Sequence, residues 1–258
     1  MTQALQSLSF EFYLFAAFAV LLTGISKSGF SGGVGAITVA IMAVFVSPLK
    51  AAAIMLPILC LMDWLGLWAY RKVWDKAALL TLLPAGVIGI LIGTLTFSFV
   101  DENTVRLLLG VITLAFSLSF FIKQGNTGKP KKPVRLFGML AGALSGFTSF
   151  IAHAGGPPIK FYLLPLQMDK TLFVGTNVVF FFAINQIKLV PYAWLGQFSP
   201  ENLIISAVLL PLAPLGIWLG LKLHGIVSQS LFYWISYSMM VIAGVKLIYD
   251  GLTKGGYV

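Results

Sequence analysis

Charged residues are scarce in this 258-residue chain: they make up 10% of it, whereas hydrophobic residues make up 59%. A soluble domain has about 25% charged residues, and its interior could not bury so much apolar surface. The mean hydropathy is +0.95. The composition therefore excludes an ordinary soluble domain. It indicates a membrane protein, in which lipid surrounds apolar helices of roughly 20 residues each.

Cysteine and acidic residues are also few. The single cysteine, Cys60, excludes an intrachain disulfide. The net charge is +9, from 17 Lys and Arg residues against 8 Asp and Glu residues. The basic residues cluster in short connections between apolar runs, as the positive-inside rule predicts for a membrane protein. We therefore expect no nucleic-acid partner, and no motif indicates a metal or a cofactor.

Ten apolar runs follow one another, at about residues 10–26, 34–46, 51–70, 77–100, 104–122, 134–152, 157–168, 171–195, 202–221 and 229–249. The runs 34–46 and 157–168 are too short to span a bilayer unaided. Each follows a glycine-rich break, so each forms a broken helix or a re-entrant hairpin with the run before it. The pattern predicts an all-α polytopic membrane protein with 8 to 10 membrane segments.

A basic linker at 124–133 divides the chain into two halves, 1–123 and 134–258, which we interpret as transmembrane repeats. The string SGF occurs in both, beginning at Ser28 and at Ser145. A Gly-Gly pair follows in each half, and later the pattern P-x4-G-x3-G begins at Pro84 and at Pro211. The matches keep one order, which is typical of the internal repeats of transporters.

The basic connections predict the orientation. Arg71, Lys72 and Lys76 share one connection, and this connection and the linker should both be cytoplasmic. The connection Pro191–Glu201 has no Lys or Arg and should face outward. These assignments agree if each short run forms a hairpin with the preceding run. Both termini then lie outside, and the two halves are inverted relative to each other.

The two breaks are the predicted binding site, because a backbone that leaves helical geometry inside a membrane must line a cavity or be covered by protein. The N-terminus of the half-helix after each break attracts anions. The first break is Gly24–Gly35 and the second is Ser145–Pro158. The predicted substrate-binding residues come from both breaks and from the run 171–195: Lys27, Ser28, Ser31, Gly32, Gly33, Thr148, His153, Gly155, Gly156, Asn177, Asn185 and Lys188.

Other polar residues leave alternatives open. Asp63, within an apolar run, could carry a coupling proton or pair with a lysine, and His153 is a second coupling candidate. We expect Lys160 to snorkel from the end of its short run. We expect His224, in a basic connection, to be solvated.

Two rival functions remain open. Gly29–Gly32 fits the G-x-S-G string of intramembrane serine proteases, with Ser31 as nucleophile and His153 as base. A passive anion channel would have the same positive helix ends at its pore.

The strings GISKSGFSGGVG (24–35) and HAGGPP (153–158), with GTN and NQIKLVPY inside 175–192, resemble the TauE/SafE sulfite exporter family. The resemblance implies a transporter, not an enzyme, in a bacterial inner membrane. It implies export of small sulfur-containing anions such as sulfite, organosulfonates or thiosulfate. A coupling proton as a second partner depends on Asp63 and His153 and stays open. The segment His153–Pro157 departs from the family's usual G-x-G-G-G string, which leaves the choice of anion open. Whether the chain forms a homodimer also stays open.

Overall fold

A computed structural model of the chain describes residues 8–32, 35–97, 99, 101–122 and 130–254. These residues contain helices, one 3-10 turn at Leu164–Leu166 and no strand. The helices are α1 (Phe10–Phe30), α2 (Gly35–Met42), α3 (Pro48–Ala69), α4 (Lys76–Thr96), α5 (Glu102–Ile122), α6 (Arg135–Ala152), α7 (Gly156–Leu163), α8 (Lys170–Trp194), α9 (Pro200–Leu209), α10 (Leu212–Ile226) and α11 (Gln229–Lys254).

Among the described residues, seven helices are long and apolar enough to cross a membrane, and α9 with α10, bent by 43°, makes an eighth if the pair is one span. The all-α membrane fold is thus confirmed, with seven to eight spans instead of eight to ten. The bend was not predicted, because the run 202–221 reads as one segment. Pro211 explains it, since proline lacks the N–H that would continue the helix and its ring clashes with the preceding turn.

Each short helix forms a hairpin with the long helix before it. The ring of Phe45, just after α2, lies 5.6 Å from that of Phe15 in the first turns of α1. Likewise the ring of Tyr162, in α7, lies 6.3 Å from that of Phe137 at the start of α6. The chain therefore returns to its starting end after each break, so both broken segments are hairpins and not single broken crossings.

Close helix pairs build the rest of the bundle: α1 with α10, α4 with α6, α5 with α11 and α3 with α8. Small residues permit the closest of these approaches. Gly24 of α1 packs on Gly216 of α10, Gly146 of α6 packs on Gly86 of α4, and Gly244 of α11 packs on Gly110 of α5.

The bundle has two ends, which we call the linker end and the opposite end. The linker end contains the α3–α4 connection, residues 130–135 and the start of α8, since the Asp75 backbone N–H donates to Thr176 Oγ1 over 2.9 Å. Lys170 also lies here, donating to the carbonyls of His224 and Val227 at the end of α10. At the opposite end, Lys50 pairs with Glu201 at 2.9 Å.

The two SGF strings do not hold equivalent positions. Ser28 lies two residues before the last residue of α1, whereas Ser145 lies seven residues before the last residue of α6. Gly33 and residues 123–129 lie outside the described residues, so the structure does not bear on the predictions made for them.

Candidate functional site

Both hairpins break at a residue with left-handed backbone geometry. α1 ends at Phe30 and is followed by Ser31, with φ 64°, and α6 ends at Ala152 and is followed by His153, with φ 49°. Such residues stop a helix because the next N–H groups turn back to bond the last carbonyls. Here the Ala154 N–H donates to the Thr148 carbonyl over 3.1 Å. The breaks are shorter than predicted, and Lys27, Ser28 and Thr148 lie in the final helical turns.

Lys27 and Asp63 form a buried ion pair. The Nζ of Lys27 lies 2.6 Å from Oδ1 of Asp63, which is fully buried in α3. The other carboxylate oxygen accepts a 2.7 Å hydrogen bond from Nδ2 of Asn185 in α8. This contact joins α1, α3 and α8 at one point. Pairing with a lysine, one of the two roles foreseen for Asp63, is therefore present.

Lys188 forms a second buried cluster with the break of α6. Its Nζ donates to the Ser149 carbonyl over 3.0 Å and to the Ser149 hydroxyl over 3.1 Å, and it lies 3.0 Å from Nδ1 of His153. The other ring nitrogen, Nε2, lies 3.1 Å from the Ala52 carbonyl. A carbonyl can only accept, so Nε2 carries the proton and Nδ1 accepts from the lysine. The geometry thus describes a neutral histidine that accepts a hydrogen bond from Lys188.

A cavity of about 60 Å³ separates these two clusters. Lys27 and Asn185 line it from one cluster, and Ser149 and His153 line it from the other. Backbone from both hairpins completes the lining, at Gly32, Gly35, Ala154, Gly156 and Pro157, with Thr23, Leu59 and Phe181. A volume of this size holds several waters or one small anion. The lining includes the first residues of α2 and α7, so both short helices begin at the cavity.

Residues 16–247 match the family model for the sulfite exporter TauE/SafE. This chain belongs to the TauE/SafE sulfite exporter family. The match covers most of the chain, which is therefore a multi-pass membrane protein of a transporter family. Neither a curated protein nor a solved structure matches it.

Several predicted residues of this TauE/SafE chain lie beside the cavity without lining it. The Ser28 hydroxyl donates to the Gly24 carbonyl and, across to α10, to the Ile217 carbonyl, both over 2.9 Å. The Thr148 hydroxyl donates to the Leu144 carbonyl over 2.7 Å. Gly155 packs against Ser145, whose hydroxyl donates to the Gly155 carbonyl over 2.6 Å. These residues shape the breaks and have little capacity left for a ligand.

Asn177 lies on the predicted face of α8 but outside the cavity lining. It is eight residues before Asn185, which is about 12 Å along a helix. Its Nδ2 donates to the Phe173 carbonyl over 2.9 Å, and its Oδ1 has no hydrogen-bond partner among the described residues.

Lys160 was not predicted as a site residue, and the expectation that it snorkels is wrong. It is fully buried in α7, and its Nζ donates to the carbonyls of Phe30, over 3.3 Å, and Gly32, over 2.7 Å. It therefore ties the second hairpin to the break of the first. A lysine shortly after Pro157-Pro158, in a helix of eight residues, was the only sequence signal.

His224 is buried instead of solvated. Its Nδ1 lies 2.9 Å from the Gly29 carbonyl, and its Nε2 lies 3.3 Å from the Thr171 hydroxyl. The packing of α10 against α1 explains the difference, because it covers the imidazole with the end of α1.

The protease geometry is not formed among the described residues. Both ring nitrogens of His153 have other partners, and the buried Ser31 hydroxyl has no hydrogen-bond partner there. Nor do three or more His, Cys, Asp or Glu side chains come together as metal ligands in the described part of the chain.

Proposed function

We propose that this protein is a secondary transporter that exports small sulfur-containing anions, of the sulfite, organosulfonate or thiosulfate type, across a bacterial inner membrane. The substrate binds in the cavity between the two hairpins. The family supports the class of anion and the outward direction. The buried charge around the cavity supports an anionic substrate independently of the family.

The observation that carries the proposal is an excess of buried lysines over buried carboxylates near the cavity. Lys27 is balanced by Asp63. Lys188 and Lys160 are fully buried and have no carboxylate within ion-pair distance among the described residues. Lys188 binds two cavity-lining residues, Ser149 and His153. Unbalanced charges inside a membrane protein are costly and mark substrate paths, and an anion in the cavity would balance them.

The short helices add to this attraction. Gly156 and Pro157 begin α7 at the cavity, and Gly35 begins α2 there. The first N–H groups of a helix have no partner within the helix, and its N-terminus carries a partial positive charge. Pro157 and Pro158 have no N–H, so α7 contributes the Gly156 N–H and the partial charge, whereas the first residues of α2 all have an N–H. An anion in the cavity would face both helix starts.

Alternating access requires two units that can move against each other, and we propose that inverted repeats provide them. Corresponding features support the repeats: His153 follows Ser31 by 122 residues (153 − 31), and both have left-handed geometry. At the same spacing, the Tyr70 hydroxyl donates to the Ser28 carbonyl and the Tyr192 hydroxyl to the Phe150 carbonyl. α1 starts at the opposite end and α6 at the linker end, as inversion requires.

Transport by purified protein in liposomes tests the proposal. We would measure labelled sulfite, thiosulfate, methanesulfonate, acetate and chloride fluxes. Lys188→Met removes a charged donor that serves two residues of the cavity wall, so we expect a loss of about tenfold or more for the transported anion. Lys27→Met should give a comparable loss. Lys50→Met, which removes a part-exposed lysine from its pair with Glu201, is the matched control and should retain the wild-type rate.

Counterflow separates a carrier from a channel. Unlabelled anion inside the liposomes should accelerate uptake of the labelled anion through a carrier, because a loaded site reorients and returns. A channel would show no such acceleration. Equal fluxes of the wild type, Lys27→Met and Lys188→Met would contradict the site. The absence of flux for all anions in the panel would contradict the function.

A further inference from the structure

The carboxylate of Asp63 is an anion of the protein itself, and it lies next to the cavity. Its two oxygens have separate partners, Lys27 Nζ at 2.6 Å and Asn185 Nδ2 at 2.7 Å. Both partners line the cavity, whereas Asp63 lies behind them. The other titratable groups within electrostatic reach are Lys188 of α8 and Cys60 of its own helix. The carboxylate thus occupies donors that an anion in the cavity would also use.

An incoming anion and Asp63 therefore compete for the same ammonium group. The lysine side chain is flexible and can turn from one acceptor to the other, whereas Asp63 is fixed within α3. If Lys27 turns to the substrate, Asp63 keeps only the amide of Asn185. A fully buried carboxylate with one neutral donor is strongly disfavoured in its charged form.

We propose that Asp63 couples anion transport to a proton. When Lys27 pairs with the anion, the Asp63 carboxylate loses its ion pair. It then binds one proton from the side on which the anion entered and becomes a neutral carboxyl group. Anion and proton cross together. When the anion leaves, Lys27 returns to Asp63, and the proton is released on the far side. This inference rests on the proposed function and assigns the coupling ion to that same site.

The coupling has a consequence for charge movement. One proton moving with a monovalent anion makes the cycle electroneutral. One proton moving with a divalent anion leaves one net negative charge, so the membrane potential of a cell, negative inside, would drive its export. The valence of the substrate therefore decides whether the potential acts on the cycle.

Proton and anion fluxes can be measured together in liposomes that contain full-length protein and a trapped pH dye. Labelled thiosulfate and methanesulfonate are suitable probes, because both stay fully ionised near neutral pH and any proton that moves with them comes through the protein. For wild-type protein we expect one proton per anion, in the direction of the anion. A valinomycin-imposed potential should change the thiosulfate flux and leave the methanesulfonate flux unaffected.

Variants of Asp63 test the assignment. Asp63→Asn cannot bind the proton, so the proton-to-anion ratio should fall from one to near zero, and Asp63→Glu should restore it. Glu201→Gln is the matched control, because it also removes a carboxylate from an ion pair with a lysine. That pair is partly exposed and lies at the opposite end of the bundle. Its ratio should stay at one.

The outcomes separate the two proposals. Anion flux without proton movement in wild-type protein, or a ratio of one in Asp63→Asn, overturns the coupling and leaves the transport function intact. No flux of any anion in the larger panel overturns the function, and the coupling falls with it. If Asp63→Asn does not insert into membranes, the wild-type ratio and the response of the two probes to the potential still decide.

Discussion

His153 and His224 both contact a backbone carbonyl, but through different ring nitrogens. Nε2 of His153 faces the Ala52 carbonyl, and Nδ1 of His224 faces the Gly29 carbonyl. Since a carbonyl accepts and cannot donate, we predict opposite neutral tautomers, Nε2–H for His153 and Nδ1–H for His224. Nitrogen-15 NMR of protein labelled only at histidine would distinguish them.

The chain has two histidines, so assignment needs one variant. The signals lost in His224→Gln belong to His224, and those that remain belong to His153. A doubly protonated His153 ring, or its Nδ1–H tautomer, would contradict the hydrogen bonds described for the Lys188 cluster. The Nε2–H tautomer at His224 would contradict its contact with the Gly29 carbonyl.

The sequence predicted some site residues and missed others for physical reasons. Asp63 in an apolar run needs a partner, and Lys27 is that partner. Helical periodicity placed Asn177 and Asn185 on one face but could not show that only Asn185 reaches the cavity. Lys160 is buried because a segment 130 residues earlier in the chain (160 − 30) covers it, and no local pattern encodes that contact.

At the scale of elements, glycine contacts set the distance between α1 and α10. A methyl group on Gly24 would lie 2.8 Å from backbone atoms of Gly216, which cannot move without separating the helices. We predict that Gly24→Ala lowers the stability by about 1–3 kcal/mol, because overpacking against backbone forces the pair apart. Thermal unfolding in detergent would measure this as a lower midpoint.

Gly225 provides the control, since it lies near the end of α10, the helix that packs on α1, and nothing lies within 4 Å of an added methyl group. Gly225→Ala should leave the midpoint unchanged or raise it slightly, because alanine favours helix more than glycine does. An unchanged or raised midpoint for Gly24→Ala as well would mean that the gain in helix propensity outweighs any packing cost at Gly24, and would contradict the prediction.

At the two breaks, the sequence predicted the presence of short helices but not the residues at which the helices end. Glycine content located both breaks, and run length showed that α2 and α7 cannot span a membrane alone. The glycine-rich strings did not show where the helices stop, since α1 continues through Gly29 to Phe30 and ends at Ser31, a non-glycine residue with positive φ. Tertiary contacts, such as the hydrogen bonds from Lys160 to the carbonyls of Phe30 and Gly32 on either side of Ser31, support that geometry.

For the whole molecule, the basic residues and the hairpins agree on one arrangement. Lys76, Arg135, Lys170 and Lys222 belong to helix ends at the linker end. Basic residues are fewer at the opposite end, where Lys50 is paired with Glu201 and Lys246 with Asp250. By the positive-inside rule we expect the linker end to face the cytoplasm. α11 runs antiparallel to α5, since Gly251 packs on Asn103 and Gly244 on Gly110, so its last residues lie at the opposite end.

This arrangement predicts which positions a membrane-impermeant thiol reagent reaches in intact cells. With Cys60→Ala as background, Pro200→Cys and Thr253→Cys lie at exposed positions of the opposite end and should be labelled from outside. Lys132→Cys, exposed at the linker end, should be labelled only after the membrane is opened. The second hairpin returns to the linker end, so Lys132 and the two outer positions must lie on different sides. Labelling of all three positions from one side would contradict the second hairpin, and a fully reversed pattern would contradict the orientation alone.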